Sequence, residues 1–130
     1  MDLQIRIGPV VQGSQRVSLS GRLDTNSYDS LDAQLAPVLA GDIESLVLDL
    51  AGLNYISSAG IRSILKARKA MAGRQGKVLV VNPQPQIQKV FDVVKAVPMG
   101  DIFASVAEAD AYLDAMQRKV LRGDDEDDEL

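Results

Sequence analysis

Leu46-Val47-Leu48-Asp49-Leu50, followed after a short gap by Tyr55-Ile56-Ser57-Ser58-Ala59-Gly60-Ile61, is the stretch that decides the fold. Ser45 to Leu50 is a nearly continuous apolar run broken only by Asp49, the pattern of a central strand covered by helices on both faces. Beyond the junction, Ile61, Ile64, Leu65, Arg68 and Met71 recur at helical spacing until Gly73 and Gly76, and Lys77 to Val81 is a second apolar strand. Strand, helix and strand in that order make a parallel crossover. Two hydroxyls, Ser57 and Ser58, thus stand where a strand hands over to a helix. The first N–H groups of a helix lack partners and carry partial positive charge. A serine there caps the helix, and a phosphate added there is also well received.

Toward the amino terminus the pattern is that of a β pair. Leu3 to Ile7 alternates apolar and polar residues, Val10 to Gln12 and Arg16 to Leu19 follow, and Gly13-Ser14 reads as the turn. From Asp24 the period becomes helical, with Tyr28, Leu31, Leu35, Val38 and Leu39 on one face and Gly41 beyond the end; Asp24, Thr25 and Asn26 are each able to cap it. Toward the carboxyl terminus, Ile87, Val90, Phe91, Val94 and Val97 mark a third helix starting near Pro85, and Val106 to Val120 a fourth carrying Leu113 and Met116. Ile102 to Ser105 reads as a short edge strand. The expected fold is α/β, one domain over residues 1–122 with a mixed sheet of about 4–5 strands, including the amino-terminal β pair, flanked by about four helices.

Composition removes competing chemistries. The 130 residues, 46% of them hydrophobic, are enough for one domain with a core. With no cysteine and no histidine there is no disulfide, thiol nucleophile or thiolate metal site, and neither the usual Ser-His-Asp base nor the commonest transition-metal ligand. No catalytic residue, metal ligand or cofactor is expected. The net charge of −4 becomes +2 once the six acids Asp124-Asp125-Glu126-Asp127-Asp128-Glu129 are set aside. Such a run repels itself and buries nothing, so 123–130 is expected to be a disordered acidic tail. The remainder has no basic stripe with interleaved aromatics, which argues against nucleic-acid binding. No stretch approaches the roughly 20 apolar residues of a membrane span and no signal peptide opens the chain, so the expectation is a soluble cytoplasmic protein without membrane insertion.

In an open α/β sheet, functional groups gather beyond the carboxyl ends of the strands, where Ser57 and Ser58 lie. Asp24, after Gly21-Arg22-Leu23 at the end of the preceding strand, is either a helix cap or a neighbour of the serines at the same rim. Gly21-Arg22-Leu23-Asp24, Leu48-Asp49-Leu50, Tyr55 to Ile61, and Val80-Val81-Asn82 with Pro85 resemble, in this order and spacing, a STAS domain of the bacterial anti-sigma factor antagonist type. The resemblance spans roughly Leu3 to Met116. It implies a binding module rather than an enzyme. Unphosphorylated, such a module captures an anti-sigma factor that is also a serine kinase and so frees a sigma factor; the kinase inactivates it by phosphorylating one serine, and a metal-dependent PP2C-type phosphatase restores it.

The family's acceptor is the first hydroxyl in an Asp-Ser-Ser/Thr-Gly pattern, and counting back from Gly60 places it on Ser58. Ser57 stands in the aspartate position, which makes it the alternative target, and Ala59 replaces the second hydroxyl. The resemblance assigns partner binding to Asp24, Ser57, Ser58, Ala59, Gly60 and Ile61. Gly60 either admits a partner's close approach or is merely permissive at the joint, and Ile61 and Ile64 either anchor a partner or belong to the core. The whole reading requires a hydroxyl presented at an accessible helix start. The same fold, by resemblance, also serves in anion transporters, stress-signalling assemblies and lipid-transport machines, so an interaction subunit without sigma-factor output is the alternative. A phospho-aspartate at Asp49 lacks the acidic cluster it would need. The oligomeric state is not readable from the sequence.

Overall fold

A computed structural model describes residues 2–96 and 105–123. Four strands, β1 (Gln4–Val11), β2 (Ser14–Leu23), β3 (Ser45–Ile56) and β4 (Lys77–Val81), form one mixed sheet in the order β1-β2-β3-β4. The first pair is antiparallel and the other two are parallel. The helices are α1 (Tyr28–Ala40), α2 (Ser58–Ala72), α3 (Pro85–Ala96) and α4 (Val106–Arg122). The two parallel pairs, β2 with β3 and β3 with β4, are thus joined through α1 and α2, as parallel strands require.

The expected β pair is present, with its turn one residue earlier than the sequence reading placed it. Gln12 and Gly13 carry φ of 52° and 80°, and two consecutive positive φ values suit a tight hairpin turn whose twist matches its strands. The register slips between Ile7 and Val10, where Gly8-Pro9 sits on the edge strand, a place that tolerates a proline without an N–H.

The expectation of a central strand covered on both faces is corrected. In β3, Leu46, Leu48 and Leu50 are fully buried while Ser45, Val47 and Asp49 are half-buried, and in β2 Val17, Leu19 and Leu23 alternate with Arg16, Ser18 and Arg22 in the same way. Only one face of these strands is sealed, and it joins Leu31, Leu35, Ile61, Ile64, Ile87, Val90 and Leu113 in a single core. The other face carries an ion pair of Arg16 with Asp49 at 2.6 Å, flanked by Asn82 at 3.3 Å.

Nor does β3 end at Leu50. It runs on to Ile56 beside β2, absorbing register shifts between Ser18 and Ser20 and between Gly21 and Arg22, at each of which β3 has one extra residue. On its other side β4 stops at Val81, opposite Asp49. The backbone of the overhang is instead met by side chains. Gln84 Nε2 donates to the Ala51 carbonyl at 2.8 Å and Gln86 Nε2 to the Asn54 carbonyl at 3.0 Å. Gln117 Oε1 accepts from the Ile56 N–H at 3.1 Å, and its Nε2 donates to the Ile56 carbonyl at 2.8 Å. Three glutamines thus do for the end of β3 what a neighbouring strand would do.

Pro85 opens α3 as expected, in the position where a missing N–H costs nothing. Ser105 is the N-cap of α4, accepting from the Glu108 N–H at 3.1 Å, and Gly123 closes that helix at φ 82°. The expected edge-strand residues 102–104, Val97 of the third helix and residues 124–130 of the acidic tail lie outside the described residues. Among the described residues no helix is long and apolar enough to cross a membrane.

Candidate functional site

Strands β2 and β3 end side by side, with Leu23 in register with Ile56 and the Ser57 N–H donating to the Leu23 carbonyl at 2.9 Å. The residues that follow, Asp24 and Ser57, therefore share one rim, as the sequence suggested. Ser57, in extended conformation, is the N-cap of α2, and its Oγ accepts a long hydrogen bond of 3.4 Å from the Gly60 N–H. Ser58 is the first residue of the helix. Its N–H, one of the four that a helix start leaves over, donates to Asp110 Oδ1 of α4 at 2.8 Å. A carboxylate from 52 residues away already occupies the position where an anion is favoured.

The expectation of a presented hydroxyl is corrected here. Ser58 is 4% exposed and Ser57 3%, and the Ser58 Oγ is buried without a hydrogen-bond partner. α4 packs against α2 and is tied to this junction at both ends of a two-turn span: Asp110 at the Ser58 amide and Gln117 at Ile56. Ala59, Gly60 and Ile61 are buried as well, so of the six residues assigned to partner binding only Asp24 retains partial exposure.

Gly60 fits neither reading offered for it. A Cβ there would lie 2.7 Å from Leu23 Cγ and 2.9 Å from Ile56 Cγ1, so the close approach that it permits is by the protein's own core. Ile61 and Ile64 belong to that core.

Asp24 builds a turn rather than a plain cap. Its carboxylate accepts from the Asn26 N–H at 3.0 Å, its N–H donates to Ser27 Oγ at 3.0 Å, and its carbonyl accepts from the Tyr28 N–H at 2.9 Å. Ser27 takes the N-cap position of α1 without a side-chain cap bond. Asp24 Oδ2 also faces Arg22 Nε at 3.4 Å, and the Arg22 guanidinium lies 3.9 Å from the centroid of the Tyr55 ring. Burial, then the negative charge of Asp114 on α4, pushes the Tyr55 hydroxyl above its ordinary pKa, with Asp110 adding to the effect and Arg22 opposing it. The rim thus holds Asp24, Arg22 and Tyr55 on the sheet side and Asp110, Asp114 and Gln117 on the α4 side.

Asp49, the other carboxylate singled out in the sequence, is structural. A hydrogen bond from the Ala51 N–H at 3.1 Å holds its pKa below the ordinary aspartate value against the opposing effect of burial, and Asn82 and Arg16 add to the lowering. Sequence reasoning missed Asp110 and Gln117. Their seven-residue spacing places them on one side of a helix, and Gln117 adjoins Leu113 and Met116 on the buried face, so a polar residue at a core position was the available signal.

Residues 9–109 match the STAS domain family. BtrV of Bordetella bronchiseptica, which bears the name of an anti-sigma factor antagonist, is 31% identical over 83 residues, 64% of this chain and 72% of its own. The anti-sigma F factor antagonist of Lysinibacillus sphaericus is 26% identical over 76 residues, 58% of this chain and 65% of its own. The solved structure of unphosphorylated SpoIIAA, an anti-sigma factor antagonist, matches with a TM-score of 0.60 at 20% identity, over 68% of this chain and 82% of that one. That of the phosphorylated Bacillus protein matches with a TM-score of 0.60 at 19% identity, over 75% and 86%. By the extent of the family match the chain belongs to the STAS domain family, and the two curated relatives described above bear the name of anti-sigma factor antagonists.

Proposed function

We propose that the protein is an anti-sigma factor antagonist, a binding module without catalytic activity of its own that works in the cytoplasm and is switched by phosphorylation of Ser58, with Ser57 as the alternative acceptor. Unphosphorylated, it sequesters an anti-sigma factor serine kinase and frees a sigma factor. A PP2C-type phosphatase resets it. The observation that carries this reading is the placement of the paired serines at the α2 amino terminus, beside Asp24 at the carboxyl rim of two parallel strands, in a chain of this family. In the transfer, a bond forms between Ser58 Oγ and the γ-phosphorus of ATP as the bond to the leaving ADP oxygen breaks, and the hydroxyl proton is lost. The added group brings about −1.5 to −2 charges. A helix amino terminus favours such an anion once Asp110 has left it, whereas an interface built on the bare hydroxyl must repel or desolvate it. One unpaired charge buried at an interface costs about 2–5 kcal/mol, which weakens binding by about 30-fold or more.

With the hydroxyl covered as in this structure, no kinase reaches it; phosphorylation requires α4 to move. The test is to co-purify the protein with its partners from the source organism and to incubate it with Mg-ATP, with and without the recovered anti-sigma factor. Nucleotide is consumed only when the kinase is present, phosphate maps to Ser58, Ser58→Ala binds without being labelled, and Ser58→Asp binds more weakly. Equal labelling of wild type and Ser58→Ala would move the site elsewhere, and recovery of membrane-transport subunits with no anti-sigma factor would replace the reading.

A further inference from the structure

Three observations at the junction belong together. The Ser58 Oγ is buried with no partner, an arrangement that costs stability and gains nothing in a purely structural role. The Ser58 N–H is held by the carboxylate of Asp110, from α4. The end of β3 is held by the carboxamide of Gln117, from the same helix. Of the groups that close the site, then, the two directional ones come from one element, and both are side chains.

We propose that α4 is a displaceable cover over the α2 amino terminus, and that Asp110 and a phosphate on Ser58 compete for it. With Asp110 seated on the Ser58 amide, the hydroxyl is closed to phosphoryl transfer. When α4 moves off, the hydroxyl and the amide open together. Once Ser58 carries phosphate, the anion lies within the reach of its own helix amino terminus, and the carboxylate of Asp110 can return only by approaching a like charge. Modification thereby holds the cover open. Two populations of α4, docked and released, are the two states, and the phosphate acts by its differential interaction with them.

The proposal rests on Ser58 being the modified residue, but its tests need no kinase, so the two can fail separately. Because the chain has no cysteine, Ser58→Cys creates its sole thiol. Reaction with 5,5′-dithiobis(2-nitrobenzoic acid) should be about 100-fold slower in the folded protein than in urea, and adding Asp110→Ala or Gln117→Ala should speed it by about tenfold or more while circular dichroism stays native. A folded thiol that reacts as fast as the unfolded one, or a rate that neither variant changes, overturns the cover. The competition is read by amide hydrogen exchange in the chain without a thiol. Ser58→Asp should accelerate exchange of the Ile56 N–H by about tenfold, and combining it with Asp110→Asn, which keeps the acceptor oxygen but not the charge, should restore protection. Unchanged protection in Ser58→Asp, or no restoration by Asp110→Asn, overturns the competition.

Discussion

Replacing Gln117 by leucine tests the claim that a side chain stands in for a missing strand. Gln117 is 1% exposed and meets both backbone groups of Ile56, at 3.1 and 2.8 Å, while its Nε2 also reaches the Leu113 carbonyl at 3.2 Å. Leucine keeps the bulk and excludes water, so the Ile56 N–H and carbonyl lose their partner while staying buried. Each such group costs about 1–3 kcal/mol. Some of that is offset by the added apolar burial, leaving an expected loss of about 2–4 kcal/mol, a large part of the 5–15 kcal/mol typical of a domain. With a urea m-value of about 2 kcal/mol/M, the midpoint moves down by about 1–2 M.

The assay is urea unfolding followed by far-ultraviolet circular dichroism, with Gln88→Leu as the control. Gln88 is exposed, and its bond to Asp92 Oδ1 at 2.8 Å lies at the surface, so its loss should stay within about 0.5 kcal/mol. A Gln117→Leu protein within that same margin would refute the surrogate-strand argument. A loss accompanied by a lower m-value would mean instead that α4 leaves before the rest unfolds, since less surface would then remain to be exposed in the main transition.

Gly60→Ala should destabilise by about 1–2 kcal/mol in thermal melts, because the new methyl overpacks against Leu23 and Ile56 by more than the helix gains from losing a glycine; the same substitution should cost less when made in a Leu23→Ala background, and an unchanged or raised melting temperature in the otherwise native chain would refute the packing argument. Ser63→Ala should stabilise by about 1 kcal/mol in urea melts, since the Ser63 Oγ, like that of Ser58, is buried without a partner. Tyr55 should titrate above the ordinary value of about 10, read at 295 nm as the difference from Tyr55→Phe, and Asp114→Asn should bring it down. The sign for stability follows: the folded state holds the Tyr55 proton more tightly, so its contribution is complete below pH of about 10 and is lost as pH rises through the higher folded value, a loss that Tyr55→Phe removes.

What was legible in the sequence is what neighbouring residues decide. The α2 start was readable because Ser57 and Ser58 precede a helical apolar period directly, and the α3 start because Pro85 announces itself. The one-sided burial of β3 was legible too, in Asp49, had that residue been read as marking an open face instead of as an exception in a two-sided strand. The length of β3 was not, because the apolar run stops at Leu50 and Gly52 and Asn54, beyond it, are residue types that strands disfavour. They are tolerated because β2 accompanies the strand through two bulges and glutamine side chains take the bonds on the other edge. The covering of Ser58 was out of reach for a related reason. Asp110 and Gln117 act on residues 52 and 61 positions away, and although Gln117 stands out as a polar residue on an apolar face, nothing local names its partner.

That difference between strand and side chain bears on why the junction suits a switch. A β ladder is cooperative: releasing one strand from its neighbour breaks a row of backbone bonds together and exposes both edges. Had β4 continued beside β3 to Ile56, the rim next to Ser58 would have been fixed by such a ladder. Because β4 stops opposite Asp49, the last part of β3 is closed on that side by the separate amide groups of Gln84, just before α3, Gln86 of α3 and Gln117 of α4. Each of these can be given up singly, to water, without dismantling the sheet. The bonds of Gln84 and Gln86 can therefore keep the overhang ordered while those of Asp110 and Gln117 are exchanged, so uncovering the serines costs the burial of Leu113 and Met116 of α4 but leaves the parallel strands paired.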